Sequence, residues 1–130
     1  MAAYTLTITW CNTRYTYTLV KQRRAWWITG TDIIDHRSGD TASSLLTKLL
    51  VRAMRSIGAT TEPVTIRIQG MPGPVVGVLT YRDDGGTCMV EQAVRVSASA
   101  TGLLTIPSGS RHDVAATFMN ALCTQENGHA

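Results

Sequence analysis

A strict two-residue alternation constrains this chain more than any other feature. From Tyr4 to Trp10 every second side chain is large and apolar, and threonine fills the positions between. Successive strand residues point to opposite faces, so the pattern describes a strand with one buried and one wet face. Cys11 to Arg14 reads as a short turn, and Tyr15 to Val20 resumes the alternation, which gives an N-terminal β-hairpin. After the polar turn Lys21 to Arg24, Ala25 to Thr29 reads as a third strand. Pro63 to Gln69 alternates again, with Val64, Ile66 and Ile68 facing one way and Thr65, Arg67 and Gln69 the other. Threonine makes up 19 of the 130 residues. Its β-branch suits strands, and its hydroxyl supplies polarity without charge.

The remaining elements follow from turn signals and periods. Gly30 to Ser44 reads as loop, Val75 to Tyr81 as a strand, and Asp83-Asp84-Gly85-Gly86 as a turn. Thr87 to about Thr105 is expected as a long strand region bent near Gly102. Ser110 can cap a C-terminal helix, Asp113 completes a capping-box-like pair, and Val114, Ala115, Phe118, Met119 and Leu122 form its apolar stripe. Gln125 to Ala130 reads as a frayed tail.

Residues 44–57 admit two readings. Leu45, Leu46, Leu49, Leu50, Ala53, Met54 and Ile57 fall on one helical stripe opposite Lys48, Arg52 and Arg55, so periodicity favours an amphipathic helix. A strand would place Leu45, Thr47, Leu49, Val51 and Ala53 on one face, with Lys48 and Arg52 among apolar residues on the other.

The length fits one domain over residues 1–130. No apolar run approaches the roughly 20 residues of a membrane-spanning helix. The first residues lack the layout of a signal peptide. Cys11, Cys88 and Cys123 share no close spacing and His36, His112 and His129 are scattered, so no zinc site and no cofactor are expected. Reduced thiols are the expectation, with Cys88 a candidate for contact with a symmetry mate in an assembly. Neither a nucleophile–base set nor a phosphate-cradling glycine loop can be assembled, and an enzyme is not expected. Charge is uneven: residues 1–55 carry eight Lys and Arg against three Asp, and the remainder four Arg against six acids. A basic first part suits a polyanion partner.

Several stretches resemble the coat proteins of single-stranded RNA bacteriophages. Met54 to Gln69 looks like that family's strand–turn–strand unit, in which an arginine ends one strand and a Thr-x-Lys/Arg alternation starts the next. Ala25-Trp26-Trp27-Ile28 followed by Asp35-His36-Arg37-Ser38-Gly39 is similar to its third strand and Asp-Arg-Ser-Gly loop. Val94 to Ile106 followed by Ser110 to Leu122 resembles its last strand and first helix. The resemblance implies an α+β fold: an N-terminal β-hairpin, a five-stranded antiparallel sheet and a C-terminal helix, completed as an intertwined dimer. It requires residues 44–55 to be a strand, and that assignment is adopted here because an intersubunit sheet buries both faces. The family's second C-terminal helix has no room in the eight residues after Leu122.

Functionally the resemblance implies a self-assembling capsid subunit in the virion, built in the bacterial host cytoplasm. Its partners would be itself, as dimer and icosahedral shell, and the single-stranded RNA genome, with neither a membrane nor a small-molecule substrate. Phe118, Met119 and Leu122 would lie on the partner's sheet as the dimer interface. Thr65 and Arg67 match RNA-contacting positions and Arg55 a nearby basic one, while Lys48 and Arg52 join that face if the register allows. The family's base-stacking tyrosine has no counterpart on the last strand, where Ser97 and Ser99 stand. An alternative takes residues 44–57 as a helix, giving the order βββαβββα. It reads the chain as a small phage-encoded module that inhibits a host nucleic-acid machine. An RNase H-like nuclease fails on chemistry, because Leu6 to Cys11 carries no carboxylate to hold a metal.

Overall fold

Eight strands form a single antiparallel sheet in the order β4-β3-β2-β1-β5-β6-β7-β8. In chain order the elements are β1 (Ala3–Trp10), β2 (Thr13–Gln22), β3 (Ala25–Gly30), β4 (Ile33–Ser38), α1 (Ala42–Ile57), β5 (Val64–Gln69), β6 (Val75–Asp84), β7 (Thr87–Val96), β8 (Thr101–Leu103) and α2 (Arg111–Thr124). This computed structural model describes residues 3–58, 62–70, 74–84, 86–97 and 100–124. The tail at 125–130 and Ser99 lie outside the described residues.

β1 and β5 pair at the centre, and from each the chain meanders outward to an edge before a helix follows. The order ββββα therefore occurs twice. Both helices lie on one side of the sheet and against each other, so sheet and helices share one apolar core. The alternation sets the register. Leu6 lies between Tyr17 of β2 and Ile68 of β5, Ile8 between Tyr15 and Ile66, while Thr5, Thr7 and Thr9 face away.

The architecture is α+β with an antiparallel sheet and a C-terminal helix, as expected, but one chain contributes eight strands and not five. Two of them were not anticipated. β4 lies within the segment read as loop, and β8 is the return arm of the segment read as one bent strand.

The larger correction concerns residues 44–57, which form α1 and not a strand. The helical stripe decides the matter: Leu45, Leu46, Leu49, Leu50, Ala53, Met54 and Ile57 are all buried, and Lys48, Arg52 and Arg55 are exposed. A strand would have carried Lys48 and Arg52 into the same layer as Leu46 and Leu50. Thr41 caps the N-terminus by accepting from the Ser44 N–H at 3.2 Å. Gly58 ends the helix with φ +75°, and its N–H donates to the Met54 carbonyl at 2.9 Å.

α2 begins as its sequence suggests, with the Asp113 N–H donating to Ser110 Oγ at 3.1 Å. Phe118, Met119 and Leu122, expected on a partner's sheet, are buried within this chain's own core. The helix seats over Gly77 of β6, where a Cβ would lie 2.7 Å from both the Phe118 ring and a Leu122 methyl. Cys88 is also buried and is not a surface thiol.

Edges are treated unequally. Beyond β8 the chain returns along β7: Leu104 donates to the Ala93 carbonyl, Val90 to Ser108 Oγ, and Cys88 and Gly109 bridge each other. β4 and three-residue β8 are left as the outermost strands. The β2–β3 connection is a two-residue turn closed by the Gln22–Ala25 pair, with Arg23 at φ 54° and Arg24 at φ 74°. Such a turn favours Asn-Gly. Arginine in the left-handed region costs roughly 1 kcal/mol per residue.

Candidate nucleic-acid interface

With both helices on one side, the opposite face of the sheet is bare among the described residues. Register places its side chains in rows. Arg14, Thr9 and Thr65 form one row and continue into Val78, Val94 and Leu103. Thr16, Thr7 and Arg67 form the next, continuing into Val76 and Val96. Thr29, Thr18, Thr5 and Gln69 make a third, and Arg37, Trp27, Val20 and Ala3 a fourth. No Asp or Glu occurs anywhere in β1, β2, β3 or β5. This half of the face is a field of hydroxyls with Arg14, Arg37 and Arg67 standing on it. Over β6, β7 and β8 the same face carries Val76, Val78, Val94 and Val96, with Thr80, Arg82, Asp84 and Gln92 toward the β6–β7 turn, and Leu103 at its edge is 76% exposed.

The five expected RNA contacts are split by the sheet. Thr65 and Arg67 sit together on the bare face, Thr65 half-buried and Arg67 exposed. Lys48, Arg52 and Arg55 are on α1, on the other side, because residues 42–57 are helical. Two of them are held by carboxylates. Lys48 pairs with Asp40, and Arg52 Nε donates to Asp32 Oδ2 at 2.8 Å. The Tyr17 hydroxyl donates to Asp32 Oδ1 at 2.9 Å. Burial works to raise the Asp32 carboxyl, but the hydrogen bonds from Arg52 and Tyr17 and the Arg52 charge outweigh it, so its pKa lies below the usual carboxylate range. The Tyr17 hydroxyl is pushed well up by burial and then by its bond to that carboxylate. Together with Tyr15 Oη donating to Ser56 Oγ at 3.1 Å, this network fastens α1 to β2. Arg55 makes no ion pair among the described residues and lines a cleft with Ile28, Ile33, His36 and Leu49.

Residues singled out as ordinary keep ordinary places. Asp83 accepts from Arg111 Nε at 3.0 Å in a part-buried ion pair that fixes the start of α2 to the β6–β7 hairpin. Ser97 bonds the Ala100 carbonyl at 2.8 Å and so closes the β7–β8 turn.

A second basic cleft has no place among the expected contacts. Lys21, Gln22, Arg23, Trp27 and Arg37 line a space of about 690 Å³ beside the β2–β3 turn. Trp27 follows Trp26 in sequence but faces the other way. Trp26 is 4% exposed and packs on Tyr4, while Trp27 is half-buried on the bare face. The signal was present in the alternation of Ala25 to Thr29, but it took the pairing of Trp27 with Val20 and Arg37 to say which indole points out. Comparison with protein-family models, curated proteins and solved structures found no match for this chain.

Proposed function

We propose that the chain binds single-stranded RNA across the bare face of its sheet, as the coat subunit of a single-stranded RNA bacteriophage. The observation that carries this reading is the combination on that face: hydroxyls with Arg14 and Arg67 over β1, β2, β3 and β5, with no carboxylate in those strands, and Arg37 beside them on β4, which also carries Asp35. Arg14, Arg37 and Arg67 would neutralise phosphates, and the threonines would hydrogen-bond sugars and unpaired bases. Helices on one side and a bare sheet on the other suit a shell wall with an outer and an inner surface. Because α2 lies on its own sheet, dimers would form through the outermost strands and not by exchange of helices. The exposed Leu103 on β8 and the valines beside it offer an apolar contact for that purpose. No catalytic step enters this proposal.

The second reading, a small module that inhibits a host nucleic-acid machine, is favoured by one observation: residues 42–57 are helical, as that reading requires, although each half has four strands and not three. Size separates the two. Purified from bacteria, a coat subunit would elute as megadalton particles whose absorbance reports nucleic acid and whose RNA resists nuclease. A small species free of nucleic acid would instead leave the inhibitor reading in place. In the first case Leu103→Lys would abolish the particles while leaving the subunit folded.

A further inference from the structure

We infer that the cleft at the β2–β3 end is a base-stacking subsite for single-stranded nucleic acid, with Trp27 as the platform and Arg23 and Arg37 as the flanking phosphate contacts. The inference deepens the proposed RNA reading and depends on it.

Three observations converge on it. The cleft is lined by Arg23, Arg37, Gln22, the stem of Lys21 and the Trp27 indole, and by no carboxylate, while the Lys21 ammonium lies over the Trp26 ring at 5.5 Å. Phosphate alone needs only the cations, whereas an indole set among them gives an unpaired base a flat surface. Next, Trp27 is the large aromatic on the bare face, since Tyr4, Tyr15, Tyr17 and Trp26 belong to or pack against the core. Last, the turn beside it holds two arginines in left-handed conformations that Asn-Gly would adopt without strain. The chain thus keeps positive charge at this corner at the expense of local stability, as sites of function do.

The location fits the rest of the face. Trp27 and Arg67 are separated by three strand spacings and two rows, about 20 Å from standard sheet dimensions. A single strand running from one to the other crosses the Thr29–Thr18–Thr5–Gln69 row, which offers only neutral polar groups. A membrane surface would call for several exposed apolar side chains at this corner, and an acidic peptide has no use for the indole plane.

The test uses the full chain, freed of co-purified nucleic acid, and an RNA oligomer of about 12 nucleotides. Inorganic polyphosphate serves as the base-free probe and phosphatidylserine vesicles as the membrane probe. RNA should quench the indole fluorescence and polyphosphate should not. Trp27→Ala should weaken RNA binding about tenfold, with Trp27→Phe recovering part of the loss, while polyphosphate binding is unchanged. Arg23→Asn with Arg24→Gly should move two readouts in opposite directions: a higher melting temperature and weaker RNA binding with a shallower salt dependence. A misfolded variant cannot produce that pair of results. If Arg67→Ala weakens binding and Trp27→Ala does not, the RNA face stands and the stacking subsite is overturned. Tighter binding to vesicles than to RNA also overturns it. No RNA binding by the unsubstituted chain removes both readings.

Discussion

The two halves of the sheet share a topology and differ in chemistry. Each runs ββββα from the central β1–β5 pair outward, and each returns its helix to the same side. On the bare face the first half presents threonine and arginine, and the second half presents an apolar patch of Val76, Val78, Val94, Val96 and Leu103 that gives way to Thr80, Arg82 and Gln92 toward the β6–β7 turn. Their helices are also fastened by different means. α1 is tied by the exposed Lys48–Asp40 and half-exposed Arg52–Asp32 pairs, whereas α2 is seated on Gly77 and anchored by the more buried Arg111–Asp83 pair. One scaffold thus carries a hydroxyl-rich, basic surface on one half and an apolar patch on the other. The core beneath does not divide, because β1 and β5 pair and α1 touches α2.

That last statement is the one most open to being broken. Leu50 of α1 and Phe118 of α2 are fully buried in the same cluster. Leu50→Ala should cost about 2–5 kcal/mol and Phe118→Ala about 3–5 kcal/mol. Both should lower a single unfolding transition seen alike by circular dichroism and fluorescence. Two separated transitions, each moved by only one variant, would show the halves to be independent.

Acid and alkali should distinguish the halves. Burial first, and then the charge of Asp83, push the Cys88 thiol up to about 11 from its ordinary 9.0. The thiol therefore ionises earlier in the unfolded chain. Its contribution is intact below pH 9 and is lost as pH rises toward 11, a loss of about 2 kcal/mol. Tyr17 and Tyr81 start from 10.0, so their losses begin a unit higher. Cys88→Ala should remove the first part of this alkaline slope in urea unfolding midpoints. Asp32 in the first half has the opposite sign, because its folded pKa is lowered. Its stabilisation holds above the ordinary carboxylate value and fades as pH falls through the folded one. Since its side chain is 45% exposed, Asp32→Asn should remove less than about 1 kcal/mol of it.

Much of this fold was legible before any coordinates. The alternation of Tyr4–Trp10, Tyr15–Val20 and Val64–Gln69 marks β1, β2 and β5 because each has one core face and one wet face. Ser110 and Asp113 mark the start of α2 through a capping pattern confined to four residues. The stripe from Leu45 to Ile57 likewise states the helical period, and the strand assignment failed because resemblance was set above that period. β4 was missed for a physical reason. It is an outermost strand with a register shift against β3, so four of its six residues are exposed, only Ile33 and Ser38 at its ends are half-buried, and it shows no alternation. The candidate site was legible only in part. Thr65 and Arg67 share a face by strand period alone, but Lys48 and Arg52 could be placed only by knowing on which side of the sheet α1 lies.

Smaller effects sharpen the comparison further. Arg23→Asn with Arg24→Gly should stabilise the first half by about 1–2 kcal/mol through relief of left-handed strain. Among the described residues no turn in the second half offers the same gain, and Gly86 already supplies positive φ between β6 and β7. The caps contribute less than that turn. Thr41→Ala and Ser110→Ala should each cost about 1 kcal/mol, and near-equal losses in thermal melts would show both helices equally coupled to the core.

The central claim is that RNA meets the bare sheet face and not the helices. Ultraviolet crosslinking of the chain to bound RNA, followed by mass spectrometry of the crosslinked peptides, tests it most directly. Crosslinks should fall in β1, β2, β3 and β5, with Trp27 and the peptide carrying Thr65 and Arg67 among them. Crosslinks concentrated on α1, at Lys48, Arg52 and Arg55, would place the RNA on the opposite side and contradict the account.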